Sequence, residues 1–186
     1  MRIHSTFKPV RASILAVVLI LSLPAAAGAA GQHGGGHGHG PAIGEPGKAA
    51  AVSRTIKVVM TDNRFSPESI SIRKGETVRF RIENKGNFVH EFNIGTAAMH
   101  AAHQKEMLMM FDHGVLEVDK IHYDRMKMKM PDGSTMEHDD PNSVLLEPGK
   151  SGEIIWKFSA DARLEFACNL PGHYETGMVG AIELGR

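Results

Sequence analysis

The sequence is poor in cysteine, since Cys168 is the one thiol among its 186 residues. A single cysteine excludes an intramolecular disulfide, a cysteine-based zinc finger and a dithiol redox motif. Aromatic residues are also scarce, at 6% of the chain. Neither sign of charge is in excess, because 21 Lys and Arg residues balance 21 Asp and Glu residues. The chain therefore lacks the basic field that nucleic-acid binding requires, and we expect no nucleic-acid partner.

The apolar run near the N-terminus is too short for a membrane span. It extends from Ala12 to Leu23, whereas a spanning helix needs about 20 apolar residues. Three basic residues precede the run and small residues follow it, which is the order of a secretory signal peptide rather than of a permanent anchor. We expect residues 1–30 to direct Sec export, with cleavage between Ala27 and Ala30. The predicted product is a periplasmic protein with no permanent membrane anchor.

Two residue types are abundant, with 11 His and 11 Met in a small chain. An exported protein would lie in an oxidising compartment, where a free cysteine needs an explanation. The abundance of His and Met, whose side chains can bind metals, is relevant to that explanation. Three interpretations of Cys168 are open at this point. It is a buried inert thiol, one half of an intermolecular disulfide, or a thiolate bound to a metal.

Alternation of apolar and polar residues predicts strands in two parts of the exported chain, residues 54–94 and 143–186. Short strands separated by regular turns are typical of an antiparallel sandwich or barrel, so we expect an all-β domain over residues 53–186. Residues 31–52 are rich in Gly, Ala and His and cannot bury a core, which predicts a disordered linker. Residues 95–142 interrupt the strand pattern and form an insertion.

Three residues with metal-binding side chains lie within eleven positions near the C-terminus. Cys168, His173 and Met178 supply a thiol, an imidazole and a thioether beside a loop between two predicted strands. Two His and one Cys with a weak axial Met form the ligand set of a mononuclear electron-transfer copper. The second His must come from elsewhere, and His90, at the start of a short apolar strand, is the candidate. Taken singly, each residue is also explained as part of the core or the surface.

These residues resemble the end of a cupredoxin, the blue-copper family that includes plastocyanin, azurin and auracyanin. The most specific match is the spacing Cys168-x4-His173-x4-Met178, and the segment from Phe65 to Gly86 is similar to the family's early strands. The resemblance implies a Greek-key β-sandwich. It also implies one type 1 copper that cycles between Cu(I) and Cu(II), with His90 as the first ligand.

The chain departs from plastocyanins and azurins in two respects. Glu91 stands where those proteins commonly carry Asn beside the first His ligand. The insertion over residues 95–142 is much longer than the minimal fold needs, and it holds eight Met and five His. Together with the His-rich tail, this insertion resembles exported cupredoxins associated with copper tolerance.

The insertion contains a predicted helix from Ala97 to Phe111. One face of this helix would carry Met99, His103, Met107 and Met110, which are spaced four, four and three residues apart. A later run of alternating Met would share a face only if it is extended. Either group binds additional copper through soft ligands or packs against the domain, since Met fills irregular gaps readily. The candidate ligands for additional copper are Met99, His103, Met107, Met109, Met110, Met126, Met128 and Met130, with His33, His37 and His39 in the tail.

Two functions are consistent with this ligand set. The first is periplasmic copper handling and tolerance by a cupredoxin, with one-electron redox chemistry at a copper that two His, one Cys and one Met bind. The alternative is a soluble electron carrier between redox partners. Four protein ligands leave the copper no open position, so we expect a copper-binding protein and not an enzyme. The expected partners are copper ions and, for the carrier, a redox protein.

Overall fold

The computed structural model describes residues 43–129, 133, 135–158 and 162–185. Within them, one α-helix, α1, spans Ala97–Asp112 and twelve strands are formed. In chain order the strands are β1 (Glu45–Pro46), β2 (Arg54–Thr61), β3 (Arg64–Ser66), β4 (Ser69–Arg73), β5 (Thr77–Asn84), β6 (His90–Gly95), β7 (Lys127–Lys129), β8 (Thr135–Glu137), β9 (Ser143–Leu146), β10 (Ser151–Lys157), β11 (Leu164–Ala167) and β12 (Val179–Gly185). Two short 3-10 helices lie at Ala49–Ala51 and Tyr123–Arg125.

Ten of these strands form two five-stranded sheets. The first has the order β1-β10-β5-β2-β3 and the second the order β4-β12-β11-β6-β9. Strands β2 and β5 pair in parallel, as do β4 and β12, and the other pairs in both sheets are antiparallel. The arrangement confirms the predicted all-β sandwich.

The alternating residues of the predicted strands face the core between the sheets. In β5, Val78, Phe80 and Ile82 are fully buried, and the residues between them are more exposed. Burial of each such side chain contributes about 1.5–3 kcal/mol. Aromatic rings join the two sheets, since Phe92 of β6 lies 5.3 Å from Phe80, centroid to centroid. This core holds the strand ends that carry the predicted ligands in fixed positions.

The ordered domain begins earlier than predicted. The expected disordered linker extends to residue 52, but β1 pairs with β10 and Ile43 is buried. The indole Nε1 of Trp156 donates a hydrogen bond to the Ile43 carbonyl oxygen at 3.1 Å. A segment of low hydrophobicity is held here by backbone pairing, which composition does not reveal. The predicted signal peptide and the tail residues His33, His37 and His39 lie outside the described residues.

The insertion contains the predicted helix, with one change to its buried face. Helix α1 begins after Thr96, whose side chain accepts a hydrogen bond from the Met99 backbone N–H at 3.3 Å. The buried face is formed by His100, His103, Met107 and Met110. Met99, expected on this face, is 38% exposed. At 3.6 residues per turn, Met99 and His100 lie on opposite edges of this face, and the edge that carries His100 is the one that is buried.

The remaining part of the insertion includes a two-stranded hairpin. Strands β7 and β8 pair antiparallel, so Lys127–Lys129 is extended, which is the condition under which alternating Met would share a face, whereas Met126 has helical backbone angles. Met126 precedes β7 and packs against the core, whereas Met130 lies outside the described residues. Among the helices of the described ranges, none is long and apolar enough to cross a bilayer.

Candidate metal centre

The sheet topology brings the four predicted ligands to one end of the sandwich. His90 is the first residue of β6, and Cys168 directly follows β11. Strand β11 pairs with β6 on one side and with β12 on the other. Met178 directly precedes β12, and His173 lies in the turn that connects β11 to β12. His90 and Cys168, which are 78 positions apart in sequence, are therefore neighbours at this edge.

The donor atoms of three of these residues converge. The Cys168 Sγ lies 3.2 Å from Nδ1 of His173 and 4.0 Å from Nδ1 of His90. The two imidazole rings are 5.1 Å apart, centroid to centroid. All three ligand atoms lie within 4.8 Å of one another. A thiol and two imidazole nitrogens that face one point are a donor set that suits a transition metal of intermediate softness.

Backbone hydrogen bonds tie the ligand-bearing loop together. The Cys168 N–H donates to the Met178 carbonyl oxygen at 3.1 Å, and the Met178 N–H donates to the His173 carbonyl oxygen at 3.0 Å. Gly177, with a φ of 97°, supplies the left-handed conformation that returns the chain to the sheet. The Met178 side chain is fully buried, and its role as the axial ligand stays a prediction.

His90 is oriented by a carboxylate that the sequence analysis did not identify. Its Nε2 lies 3.1 Å from Oδ1 of Asp62, which leaves Nδ1 directed at the thiol. Asp62 is itself held by the Asn87 backbone N–H at 2.9 Å. A Cβ at Gly86 would overlap the Asp62 carboxylate and lie 2.9 Å from Nε2 of His90, so this position requires glycine. A carboxylate behind a histidine ligand fixes its tautomer and ring orientation.

Glu91, which follows His90 on β6, contacts both the loop that carries Cys168 and helix α1. Its backbone N–H donates to Cys168 Sγ at 3.3 Å, and its Oε2 accepts from Nδ2 of Asn169 at 2.8 Å. Its Oε1 accepts from Ser143 and lies 2.9 Å from Nε2 of His103. The residue that departs from plastocyanins and azurins thus bonds the Cys168 loop directly and connects it to helix α1.

Burial keeps the donor groups uncharged in the absence of a metal. Desolvation lowers the pKa of His90 and of His173, so both imidazoles stay neutral at neutral pH. Burial raises the pKa of Cys168 to about 12, which holds it as a thiol. A metal at this site would therefore displace the thiol proton when it binds.

The candidate ligands for additional copper are not gathered at this centre. Met107 and Met110 are buried in the core, and Met109 is half-buried on helix α1. Met126 is partly buried against the same core. The side chain of Met128 and all of Met130 lie outside what the structure describes. Burial of these Met residues fits packing against the core, and copper binding by the insertion stays a prediction.

Comparison with known proteins agrees with the geometry. Residues 13–118 match the family described as "Cupredoxin-like domain". The chain is 51% identical over 150 residues to a "copper-resistant cuproprotein CopI" of Pseudomonas aeruginosa, covering 77% of this chain and 83% of that protein. It is 40% identical over 179 residues to a protein of the same name in Rubrivivax gelatinosus, covering 92% and 94%. The crystal structure of reduced auracyanin from Roseiflexus castenholzii covers 73% of this chain and 99% of its own, with a TM-score of 0.52 and 19% identity.

Proposed function

The chain belongs to the cupredoxin-like family, and on that premise we propose that it binds one type 1 copper through His90, Cys168, His173 and Met178. The observation that carries the proposal is the convergence of the Cys168 sulfur and two histidine Nδ1 atoms within 4.8 Å. The donor types fit the ion, since thiolate and thioether favour Cu(I) and imidazole serves both oxidation states.

When bound, copper would supply one-electron chemistry at this edge of the sandwich. The residues of the chain contribute a constrained ligand geometry. The Asp62 carboxylate holds the His90 ring, and the Glu91 N–H contacts the Cys168 sulfur. The burial of Cys168 and Met178 excludes water from the sulfur donors. Ligands held in this way change position little between oxidation states, which favours rapid electron transfer.

The role we propose is copper handling in the periplasm rather than catalysis. Two relatives named copper-resistant cuproproteins align with 77% and 92% of the chain. The proposed organisation is a signal peptide over residues 1–30 followed by an exported domain with a Met/His-rich insertion. Four protein ligands fill the copper, so this centre is a carrier of metal or electrons and has no open position for a substrate.

Growth on elevated copper tests this role. We expect that deletion of the gene sensitises cells to copper, that wild-type protein restores growth, and that Cys168→Ser does not. The matched control is Thr176→Ser, which removes a methyl group from an exposed side chain in the same loop and should restore growth fully. A deletion strain with normal copper tolerance and impaired respiratory or photosynthetic electron flow would contradict copper handling and support the electron carrier instead.

We also propose that the insertion and tail capture copper beyond the type 1 ion. Under reducing conditions we expect more than one copper per chain, because thioethers bind Cu(I) without losing a proton. A variant with six insertion residues changed to Leu should bind less Cu(I) and keep its visible absorption; the residues are Met107, Met109, Met110, Met126, Met128 and Met130. Leu roughly conserves the volume of Met, so each change should lower the free energy of unfolding by less than about 1.5 kcal/mol.

The matched control for the insertion is Met60→Leu, since Met60 is fully buried in β2 and belongs to neither copper-binding group. Copper per chain is measured by elemental analysis after dialysis under reducing conditions. One copper per chain in the wild type, unaltered in the six-residue variant, would rule out the insertion as a Cu(I) site.

A further inference from the structure

A second group of metal-binding side chains lies beside the Cys168 centre and includes none of its four ligands. It consists of Glu91 on β6, His103 on helix α1 and His138 after β8, and the three ligand atoms lie within 4.8 Å of one another. Glu91 is fully buried, and the side chains of His103 and His138 are 10% and 9% exposed. The insertion is thus attached to the sandwich through a nearly closed cluster of two imidazoles and one carboxylate.

The inner nitrogens of both imidazoles face the same carboxylate oxygen. Nε2 of His103 lies 2.9 Å from Oε1 of Glu91, and Nε2 of His138 lies 3.7 Å from that atom. The two rings are stacked, with centroids 5.1 Å apart and an interplanar angle of 21°. Two donors on one ion at about 2.0–2.1 Å are about 2.9 Å apart at a right angle and about 3.4 Å apart at a tetrahedral angle. The observed separations are close to these values.

The outer nitrogens of both imidazoles face a second set of carboxylates. Nδ1 of His103 lies 3.1 Å from Oε2 of Glu106, and Nδ1 of His138 lies 3.6 Å from Oδ2 of Asp140. Histidines that bind metals characteristically direct the other ring nitrogen at a carboxylate, a carbonyl or water. Both histidines of this cluster share that arrangement.

A single ion pair between Glu91 and His103 does not account for His138. At 3.7 Å its Nε2 is beyond hydrogen-bond distance from Glu91, yet it is directed at the same oxygen. A buried ion pair needs one imidazole for one carboxylate, and here two imidazole nitrogens surround the same carboxylate oxygen. They match the donor set of two His and one carboxylate that proteins use for divalent first-row metals.

We propose that Glu91, His103 and His138 form a second metal site that takes a divalent cation of borderline softness, either Cu(II) or Zn(II). The three donor atoms include no sulfur, which disfavours Cu(I), and two imidazoles disfavour Mg²⁺ and Ca²⁺. The ion would replace the proton that His103 shares with Glu91. This site is distinct from the type 1 centre and from the Met residues of the insertion.

Glu91 would couple the two centres. Its carboxylate belongs to the second site, and its backbone N–H donates to the Cys168 sulfur at 3.3 Å. Its other carboxylate oxygen accepts from the side chain of Asn169, the residue next to Cys168. An ion bound to Oε1 would draw charge from the Glu91 carboxylate, and through the contacts with Asn169 and the Cys168 sulfur it would alter the environment of the thiolate. We therefore expect occupancy of the second site to shift the visible absorption of the type 1 copper.

Isothermal titration tests the proposal on the full-length protein already loaded with one copper. Zn(II) and Cu(II) are titrated separately into the wild type, His138→Gln and the matched control His122→Gln. His122 lies in the same insertion and pairs with Glu117 at 2.7 Å, without a third donor in the described cluster. The tail histidines are present in every variant and contribute equally. We expect His138→Gln to lose one equivalent of at least one of the two ions and His122→Gln to lose none.

A second variant keeps the test decisive if His138→Gln does not fold. Glu106→Gln changes a 47% exposed side chain behind His103 and should weaken binding about 10- to 100-fold. The visible band should shift when the ion is added to the wild type and not in His138→Gln. Equal uptake of both ions by the wild type, His138→Gln and Glu106→Gln would overturn the second site. Since the type 1 band is recorded in the same samples, its absence would identify failure of the first site separately.

Discussion

Cys168→Ser is expected to abolish the intense visible absorption of the copper-loaded protein and to weaken copper binding more than any other single substitution at this centre. The absorption arises from charge transfer between the cysteine sulfur and copper, and serine has no sulfur. Serine is close to cysteine in shape, so the fully buried position should tolerate it and the fold should remain. Visible absorption, copper per chain and thermal unfolding are measured on the same preparation.

Thr176→Ser serves as the matched control, because it removes a methyl group in the same loop and keeps the hydroxyl that donates to the His173 carbonyl oxygen. It should retain both the band and one tightly bound copper. If Cys168→Ser keeps the absorption of the wild type, Cys168 is not a ligand and the type 1 site is assigned wrongly.

Glu91→Leu is expected to lower the free energy of unfolding by about 3–5 kcal/mol, because it leaves His103 buried without its partner. Burial alone would lower the pKa of His103, but the charge of Glu91 and the hydrogen bond with Glu106 outweigh it and raise the pKa to about 10. Burial would in turn raise the pKa of Glu91, and the charge of His103 holds it below its usual value. The two groups therefore form an ion pair at neutral pH.

A double-mutant cycle isolates the interaction free energy between Glu91 and His103. Removing both charges in Glu91→Leu with His103→Leu should cost less than the sum of the single changes, because no unpaired charge stays buried. Denaturant unfolding of the apo protein supplies the four free energies.

The matched control for Glu91 is Glu76→Leu, which removes a buried carboxylate paired with Arg54 at 2.7 Å. Glu76→Leu should lower the free energy of unfolding without altering the visible absorption band. Glu91→Leu should lower the free energy of unfolding and also alter the band. Strictly additive losses in the cycle, or an unchanged band in Glu91→Leu, would contradict the proposed connection between helix α1 and the copper loop.

The sequence was sufficient to predict the sandwich, because strands such as β4 and β5 alternate apolar and polar residues and the turns are marked by Gly and Pro. Ile70 and Ile72, and then Val78, Phe80 and Ile82, face the core as their spacing predicts. The helix of the insertion was also predicted, and its observed end at Asp112 differs by one residue. Local periodicity determines these features, so a single sequence reveals them.

The residues that support the candidate ligands could not be predicted in this way. Asp62 lies in a turn between β2 and β3, where Asp is common for local reasons, and its contact with His90 spans 28 positions. Glu91 and His138 meet across the insertion, and no spacing rule relates them. Such contacts depend on how strands pair across the sheet, and an isolated polar residue gives no sign of its distant partner.

The proposed function depends on one copper that a thiolate and two imidazoles hold, at His90, Cys168 and His173. X-ray absorption at the copper edge, recorded on the full-length protein loaded with one equivalent of copper, identifies the atoms bound to the ion. The predicted spectrum has one short copper–sulfur distance and two copper–nitrogen distances. A spectrum with nitrogen and oxygen neighbours alone would contradict the claim.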